Sequence, residues 1–163
     1  MQVRPASVRL RSAREDDDAF LFEVYASSRR EGLAPLGWDD RTAERYLRTQ
    51  FEAEERDWRQ HQPGAQCMVI LSDDDPVGRL YLARSAQEIR VMDITVLPEH
   101  RGRGIGTALL VGLLDEARHS QRTVRAHVER GSAALRLYRR LGFLHAATRG
   151  GSWLMEWTAE AAG

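Results

Sequence analysis

The sequence predicts a mixed α/β domain, α+β in layout, with a twisted, mostly antiparallel sheet flanked by about four helices. Three observations predict it. Apolar residues recur at helical spacing in separate segments, at Phe20, Leu21 and Val24, and again at Ile105, Leu109, Leu113 and Ala117. Short strand-like runs follow one another across turn residues, at Asp73-Asp-Asp-Pro76 and at Gly150-Gly151, as antiparallel neighbours do. Between them, a strand ending near Pro98 passes into a helix through a loop in which Gly102, Gly104 and Gly106 alternate with other residues.

The elements follow in order. Val8-Arg-Leu-Arg reads as a first strand. Glu15-Asp-Asp-Asp sets acid at a helix start, where the helix dipole favours it, and Phe20, Leu21, Val24 and Ser28 space like one face. Gly32 to Asp40 is expected to be a loop, since it holds Pro35 and Gly37. Leu47, Phe51 and Trp58 mark a second helix, from about Arg41 to His61, ended by Pro63-Gly64. Gln66 to Leu71 and Val77 to Ala83 form a hairpin, and Glu88 to Leu97 is the strand that feeds the glycine loop. After the long helix, Val124, Ala126 and Val128 alternate as a strand. Ser132 is placed to cap a helix carrying Tyr138. Phe143 to Thr148 and Ser152 to Trp157 complete the sheet, giving β-α-α-β-β-β-α-β-α-β-β. The tail Thr158 to Gly163 is expected to fray. There is no internal repeat and no low-complexity tract.

A length of 163 residues suits one domain, 1–163, and a sizeable core. Basic and acidic residues number 24 each, so the formal charge is zero; a nucleic-acid partner would favour clustered positive charge. No apolar run approaches the length of a membrane span, and Met-Gln-Val-Arg-Pro lacks a signal-peptide core. The expectation is a soluble, cytoplasmic protein with neither nucleic acid nor membrane as partner. Cys67 is the single cysteine, which excludes an internal disulfide, and it builds no metal site alone. His61, His119 and His145 are scattered and suggest no metal spacing.

The glycine loop carries the functional signal. Glycines let bare backbone approach a ligand, and the free N–H groups of the following helical turn point at it with the positive end of the dipole. This is a phosphate site made of backbone. A P-loop needs Lys-Ser or Lys-Thr after its last glycine, and here Thr107-Ala108 follows. A dinucleotide fingerprint begun at Gly102 and Gly104 would put its third glycine at Thr107, and it would sit near the start of a chain. The pattern that fits is Arg/Gln-x-x-G-x-G/A, met by Arg101-Gly-Arg-Gly-Ile-Gly. A second segment agrees with it: Ala134-Leu-Arg-Leu-Tyr-Arg-Arg-Leu-Gly-Phe143, a tyrosine-bearing helix ending in Leu-Gly-Phe.

These two motifs, in this order, resemble those of the GCN5-related N-acetyltransferase (GNAT) superfamily, over roughly residues 88 to 145. The resemblance implies a GNAT-like sheet and acetyl-CoA as acyl donor to an amine, whether of a small molecule or of a protein N-terminus or lysine; a homodimer is compatible with it. It implies that the backbone of Arg101, Gly102, Arg103, Gly104, Ile105, Gly106 and Thr107 binds the pyrophosphate. Arg103 can add direct charge. Thr95 and Val96, on the strand before, would hydrogen-bond the pantetheine arm. Tyr138 matches the family's general acid toward the departing thiolate. Reference values of about 10 for Tyr and 8.5 for a thiol make full proton transfer uphill by roughly 2 kcal/mol, so a hydrogen bond to the thiolate is the sounder description. The family often has an asparagine six or seven residues before the tyrosine, and here Ser132 and Gly131 stand there. Ser132 can still donate one hydrogen bond to the cofactor arm.

The acceptor amine needs a base, and none carries over by match, because the family's strand glutamate position holds Arg90. Asp93 leads the candidates, ahead of Glu88, Glu129 and His127. Acceptor selection in such proteins rests on the first two helices and their connection, which here offer Tyr25, Arg29, Arg30, Trp38, Asp39, Asp40 and Trp58. Trp38 beside two aspartates can hold a cation, or Trp38 packs on the core while Asp39 or Asp40 caps the second helix. The chain has arginine but no lysine and no asparagine, as GC-rich coding produces, so the protein cannot acetylate itself on a lysine side chain. Two other readings stay open: a non-catalytic acyl-CoA-binding module, and, more distantly, a nucleotide-dependent enzyme.

Overall fold

The computed structural model describes residues 7–132 and 134–159. Seven strands form one sheet: β1 Val8–Ser12, β2 Ala65–Ser72, β3 Asp75–Arg84, β4 Glu88–Val96, β5 Thr123–Glu129, β6 Leu144–Arg149 and β7 Ser152–Trp157. Their spatial order is β1-β2-β3-β4-β5-β7-β6. Every neighbouring pair is antiparallel except β4 and β5, which run parallel. The helices are α1 Asp18–Ser27, α2 Arg30–Leu33, α3 Asp40–His61, α4 Ile105–Ser120 and α5 Ala134–Arg140. The mixed, mostly antiparallel architecture expected from the sequence is the one found.

Side-chain alternation in the central strands divides the interior in two. Ile70, Leu80, Leu82, Ile89 and Val91 face α4, whose Leu109, Leu110, Leu113 and Leu114 meet them. On the other face, Val69 packs with Leu21, Tyr25, Leu47 and Phe51 of α1 and α3. β1 is tied to the start of α1 by Arg11, which donates to both carboxylate oxygens of Asp17 at 2.8 and 2.9 Å.

Three expectations are adjusted. The expected loop at Gly32–Asp40 overlaps the short α2, and a 3-10 turn follows at Ala34–Leu36. Proline tolerates such first-turn positions because its missing N–H would be unbonded there anyway, and Gly37, at φ 67°, ends the turn. The first helix is preceded by a 3-10 turn and closes at Ser27, one residue before the expected face ended. The sixth strand begins at Leu144 rather than Phe143, because Phe143 belongs to the end of α5. Its N–H donates to Tyr138 O at 3.0 Å, and Gly142 N–H to Arg139 O at 3.1 Å, with Gly142 at φ 99°. That is a Schellman closure, and it explains Leu-Gly-Phe physically: only glycine takes this turn cheaply, and the apolar residue after it seals the helix end. The expected fraying of Thr158 to Gly163 lies, beyond Ala159, outside the described residues.

On the α1 and α3 face, α3 is pinned to the sheet by a buried cation. Arg79 of β3 is 1% exposed. Its Nε donates to Asp93 Oδ2 of β4 at 2.8 Å, and its Nη2 to Glu54 Oε1 of α3 at 2.7 Å. The guanidinium carbon lies 5.6 Å from the Tyr25 ring centre and 5.5 Å from that of Trp58. Burial opposes the charge on Arg79, but the two carboxylates outweigh it and hold the group protonated. Replacing Arg79 with Met keeps the volume and strands both carboxylates. Arg79→Met should cost about 3–5 kcal/mol in urea unfolding, and adding Glu54→Gln and Asp93→Asn should restore much of it. Unchanged stability in the single variant would show that the cluster contributes nothing net.

Candidate active site

The site begins with a ladder that stops early. β4 and β5 pair from Glu88↔Thr123 to Val91↔Ala126 and no further. On its other side β4 continues against β3 up to Val96, after a bulge between Val91 and Asp93 that leaves Met92 unpaired. The β5-facing edge of β4 from Met92 to Val96 therefore has no ladder partner. β3 lies unusually close beneath it: a Cβ on Gly78 would sit 2.2 Å from Thr95 O, so only glycine fits.

Tyr138 belongs to α5, which packs against β5, the strand on the far side of this gap. It is 2% exposed and meets Phe143 edge-on, with ring centres 5.0 Å apart. Burial pushes its phenol well above the ordinary tyrosine range, and the negative charge of Asp93 adds to the shift. At neutral pH the hydroxyl is thus a hydrogen-bond donor and not a source of phenolate. It makes no hydrogen bond among the described residues. Asp93 is held on one oxygen: Oδ2 accepts from Arg79 Nε at 2.8 Å and from Thr95 Oγ1 at 2.9 Å.

The loop after β4 forms the second half of the site. Gly102 and Gly104 have φ of 78° and 77°, a conformation that costs other residues strain. The first helical hydrogen bond of α4 is Ala108 N–H to Gly104 O, 3.0 Å, and no side chain caps the helix. The N–H groups of Ile105, Gly106 and Thr107 are left free of partners among the described residues, at the positive end of a four-turn helix. They open into a cavity of about 430 Å³ lined by Val96, His100, Arg101, the glycine loop, Thr107 and the α5 residues Arg136, Leu137 and Arg140. A Cβ at Gly102 or Gly104 would meet no protein atom within 4 Å, so the loop's outer face is clear for a ligand. Free backbone donors and three arginines in one concavity suit a diphosphate.

Of the residues singled out in the sequence, Val96, Arg101, Gly102, Gly104, Ile105, Gly106 and Thr107 line this cavity. Arg103 does not; its Nη1 lies 3.5 Å from His100 Nδ1 on the surface. Arg101 turns its Nε back to Val96 O at 2.9 Å, which braces the loop and occupies that carbonyl. Thr95 belongs to the Asp93 cluster through its side chain. Ser132 caps α5 as expected, its Oγ accepting from Ala134 N at 3.2 Å. Among the other acids and bases, Glu88 is taken up by Arg90 and Arg125, His127 Nε2 lies 3.1 Å from Arg90 Nη1, and Glu129 is exposed. Asp39 caps α3 through Thr42 N at 2.7 Å, and Trp38 packs edge-on against Tyr46, still 42% exposed and outside the core.

Arg136, Arg140, Glu54 and Arg79 are not legible as site residues in the sequence. The signal for the first two is their i, i+4 spacing, which puts both on one helix face. For Arg79 it is a charge inside the apolar run Val77 to Ala83. Glu54 sits in a helix rich in charge, and nothing local distinguishes it.

An interrupted parallel ladder and a backbone cradle suited to phosphate, with a buried tyrosine on the adjoining helix, agree with one class of protein. The chain belongs to the Acetyltransferase (GNAT) family, which matches residues 20–143. Members of this family are acyltransferases. Among solved structures, it is similar to the N-acetyltransferase PaiA from Thermoplasma acidophilum in complex with coenzyme A, at 21% identity and TM-score 0.70, covering 93% of this chain and 99% of that one. An acetyltransferase from Thermus thermophilus is similar at 18% identity and TM-score 0.65, covering 97% and 99%. YncA from Salmonella typhimurium, solved with its cofactor acetyl-CoA, is similar at 26% identity and TM-score 0.55, covering 93% of each chain. No curated protein sequence matches the chain. Among the described residues no helix is long and apolar enough to cross a membrane, and no group of His, Cys, Asp or Glu is arranged to hold a metal.

Gly106 gives the cleanest test of the cradle. Gly104→Val would confound steric block with backbone strain, because φ is 77° there. Gly106 is helical, and a Cβ on it would make an ordinary 3.7 Å contact with Leu137 Cδ2. Gly106→Val should keep the fold and weaken coenzyme A binding at least about tenfold, or 1.4 kcal/mol, by calorimetry. A folded variant with undiminished affinity would show that the loop is only a turn.

Proposed function

We propose that this chain is an N-acetyltransferase that moves the acetyl group of acetyl-CoA directly to a primary amine, working as a single domain. The observation that supports this most is the phosphate cradle that follows the unpaired edge of β4, lined also by the helix that carries the buried Tyr138. Acetyl-CoA, when bound, supplies an activated thioester, and the chain's residues do the positioning and the proton handling.

The N–H groups of Ile105, Gly106 and Thr107 hold the pyrophosphate, and Arg136 and Arg140 add charge to its phosphates. Backbone groups of β4 near Thr95 orient the pantetheine arm in place of the missing ladder. The Tyr138 hydroxyl donates to the sulfur as negative charge develops there, an interaction that strengthens toward the transition state. The incoming amine must lose a proton; from an alkylammonium of pKa near 10.4 this costs roughly 4–5 kcal/mol at pH 7. Asp93 takes it on Oδ1, the oxygen that neither Arg79 nor Thr95 uses. The pairing with Arg79 fixes the carboxylate in place, its charge draws in the ammonium, and the proton passes on to solvent. Direct transfer is favoured because Cys67, the single thiol, is a poor relay: burial pushes it up to about 11.

A non-catalytic acyl-CoA-binding module is the second reading. It is favoured by Ser132, which stands at the family's asparagine position and, with its Oγ accepting from Ala134 N at 3.2 Å, keeps a single donor for a cofactor arm. Thiol release from acetyl-CoA with a panel of amines separates the two.

Acetyl-CoA should raise the melting temperature by mass action, and NAD or ATP should do much less. A larger shift with either nucleotide would overturn the cofactor assignment. Tyr138→Phe keeps the edge-on contact with Phe143 and removes only the hydroxyl. It should lower kcat on the order of tenfold to a thousandfold, with little change in acetyl-CoA affinity. Full activity would reduce Tyr138 to a packing residue, and loss of affinity with kcat intact would make it a cofactor ligand instead.

A further inference from the structure

A second cavity, also about 430 Å³, lies between α1, α2 and α3, away from the phosphate cradle. Tyr25, Leu33, Tyr46 and Leu47 give it an apolar and aromatic wall, and Gln50 and Ser28 add neutral polar groups. Its lining carries one charge among the described residues, that of Arg29. Its size falls in the range of small-molecule sites, which spans about 300–1,000 Å³.

Arg29 is fixed but not satisfied. Its guanidinium lies 3.8 Å from the centre of the Tyr25 ring. Nη1 donates to Tyr25 O at 3.2 Å and to Ser28 Oγ at 3.0 Å. Nε and Nη2 make no hydrogen bond among the described residues. The nearest carboxylate, Glu54, stands 3.6 Å from Nη2, beyond hydrogen-bond reach, and its other oxygen is bound by Arg79 at 2.7 Å. The side chain is 34% exposed. Such a guanidinium, stacked on Tyr25 with Nε open and Nη2 leaning on Glu54 without a hydrogen bond, still has donors to offer a carboxylate.

The cavity is linked to Asp93 through side chains in contact. Tyr25, which forms its floor, is packed by Arg79, and Arg79 holds Asp93 at the gap between β4 and β5. Arg29, Glu54, Arg79 and Asp93 thus form one continuous chain of alternating charge from the cavity to the proposed proton acceptor.

We infer that this cavity is the acceptor subsite and that it selects an amine which also carries a carboxylate, bound by Arg29, with an apolar body against Tyr25 and Tyr46. The inference rests on the acetyl-transfer reading above and narrows it. A neutral amine gains nothing from Arg29, and a polyamine is repelled by it. The acceptor class is therefore an amino-acid-like molecule, not a polycation.

The test uses the full chain with acetyl-CoA and three acceptor pairs: phenylalanine, leucine and methionine, each against its carboxamide. Thiol release should show KM at least about tenfold lower for a carboxylate than for its carboxamide. Arg29→Gln should abolish that difference by raising KM for the carboxylates alone, while leaving the acetyl-CoA melting shift unchanged. Arg29→Lys should retain part of the preference, since it keeps the charge but not the fork. Calorimetric titration of the same six compounds into coenzyme A-loaded protein reads binding without turnover. Equal binding of carboxylates and carboxamides, no binding of any carboxylate, or a preference that survives Arg29→Gln would each overturn the inference. Those outcomes leave the acetyl-CoA reading standing, whereas failure of acetyl-CoA itself to bind removes that reading first.

Discussion

β4 and β5 share hydrogen bonds only over their first residues, and each backbone group that the interrupted ladder leaves behind on β4 must be accounted for. Much of the molecule is arranged around this gap. The Met92 bulge turns the far half of β4, and the glycine at position 78 lets β3 follow it at close range. α4 follows β4 across the glycine loop, and its first turn opens into the cavity that Val96 also lines. α5 closes through Gly142 and Phe143 in a way that leaves Tyr138 buried. A parallel pair that zipped to its end would remove the donors, the opening and the reason for the buried phenol together.

The charges follow a related logic. Arg79 is a cation in an interior with little water, and it is tolerable only because Asp93 and Glu54 approach it from two elements. Burial raises the Glu54 carboxyl above its ordinary range, with Arg79 pulling the other way. The arrangement ties α3 to the sheet and fixes one oxygen of Asp93, so that a side chain on a bulged strand has a defined orientation. Stability and site geometry are carried by the same three residues.

The parts that can be read from the sequence are those whose signals are local. Helix period in α4, the hairpin turn, the glycine loop and Leu-Gly-Phe each act within a few residues, and each lies close to where the sequence places it, the turn closing on Asp73 and Asp74 while Asp75 and Pro76 already belong to β3. α2 escapes such a reading because four residues around Gly32 and Pro35 carry too little periodicity to oppose the turn signals. The Arg79 cluster escapes it for a different reason: Glu54, Arg79 and Asp93 come from three elements, and only the sheet register and the seating of α3 bring them together. Asp93 stands out by its position before the cradle, but its partners do not. Arg136 and Arg140 are two of several arginines on a short helix, and it is the docking of α5 beside the start of α4 that turns them toward the phosphate cavity.

The short parallel ladder has a mechanical side as well. β1 to β4 form one continuously bonded block, and β5, β7 and β6 form another, with antiparallel pairing inside each. Only the register from Glu88 to Val91 joins the two, with α4 laid across the seam. The sheet is therefore bonded along the length of each half but only at one end between them, like a book held at one end of its spine. A molecule seated along the open edge of β4 would bridge the leaves and complete the spine, so that the ligand itself becomes the element that makes the sheet a single rigid body.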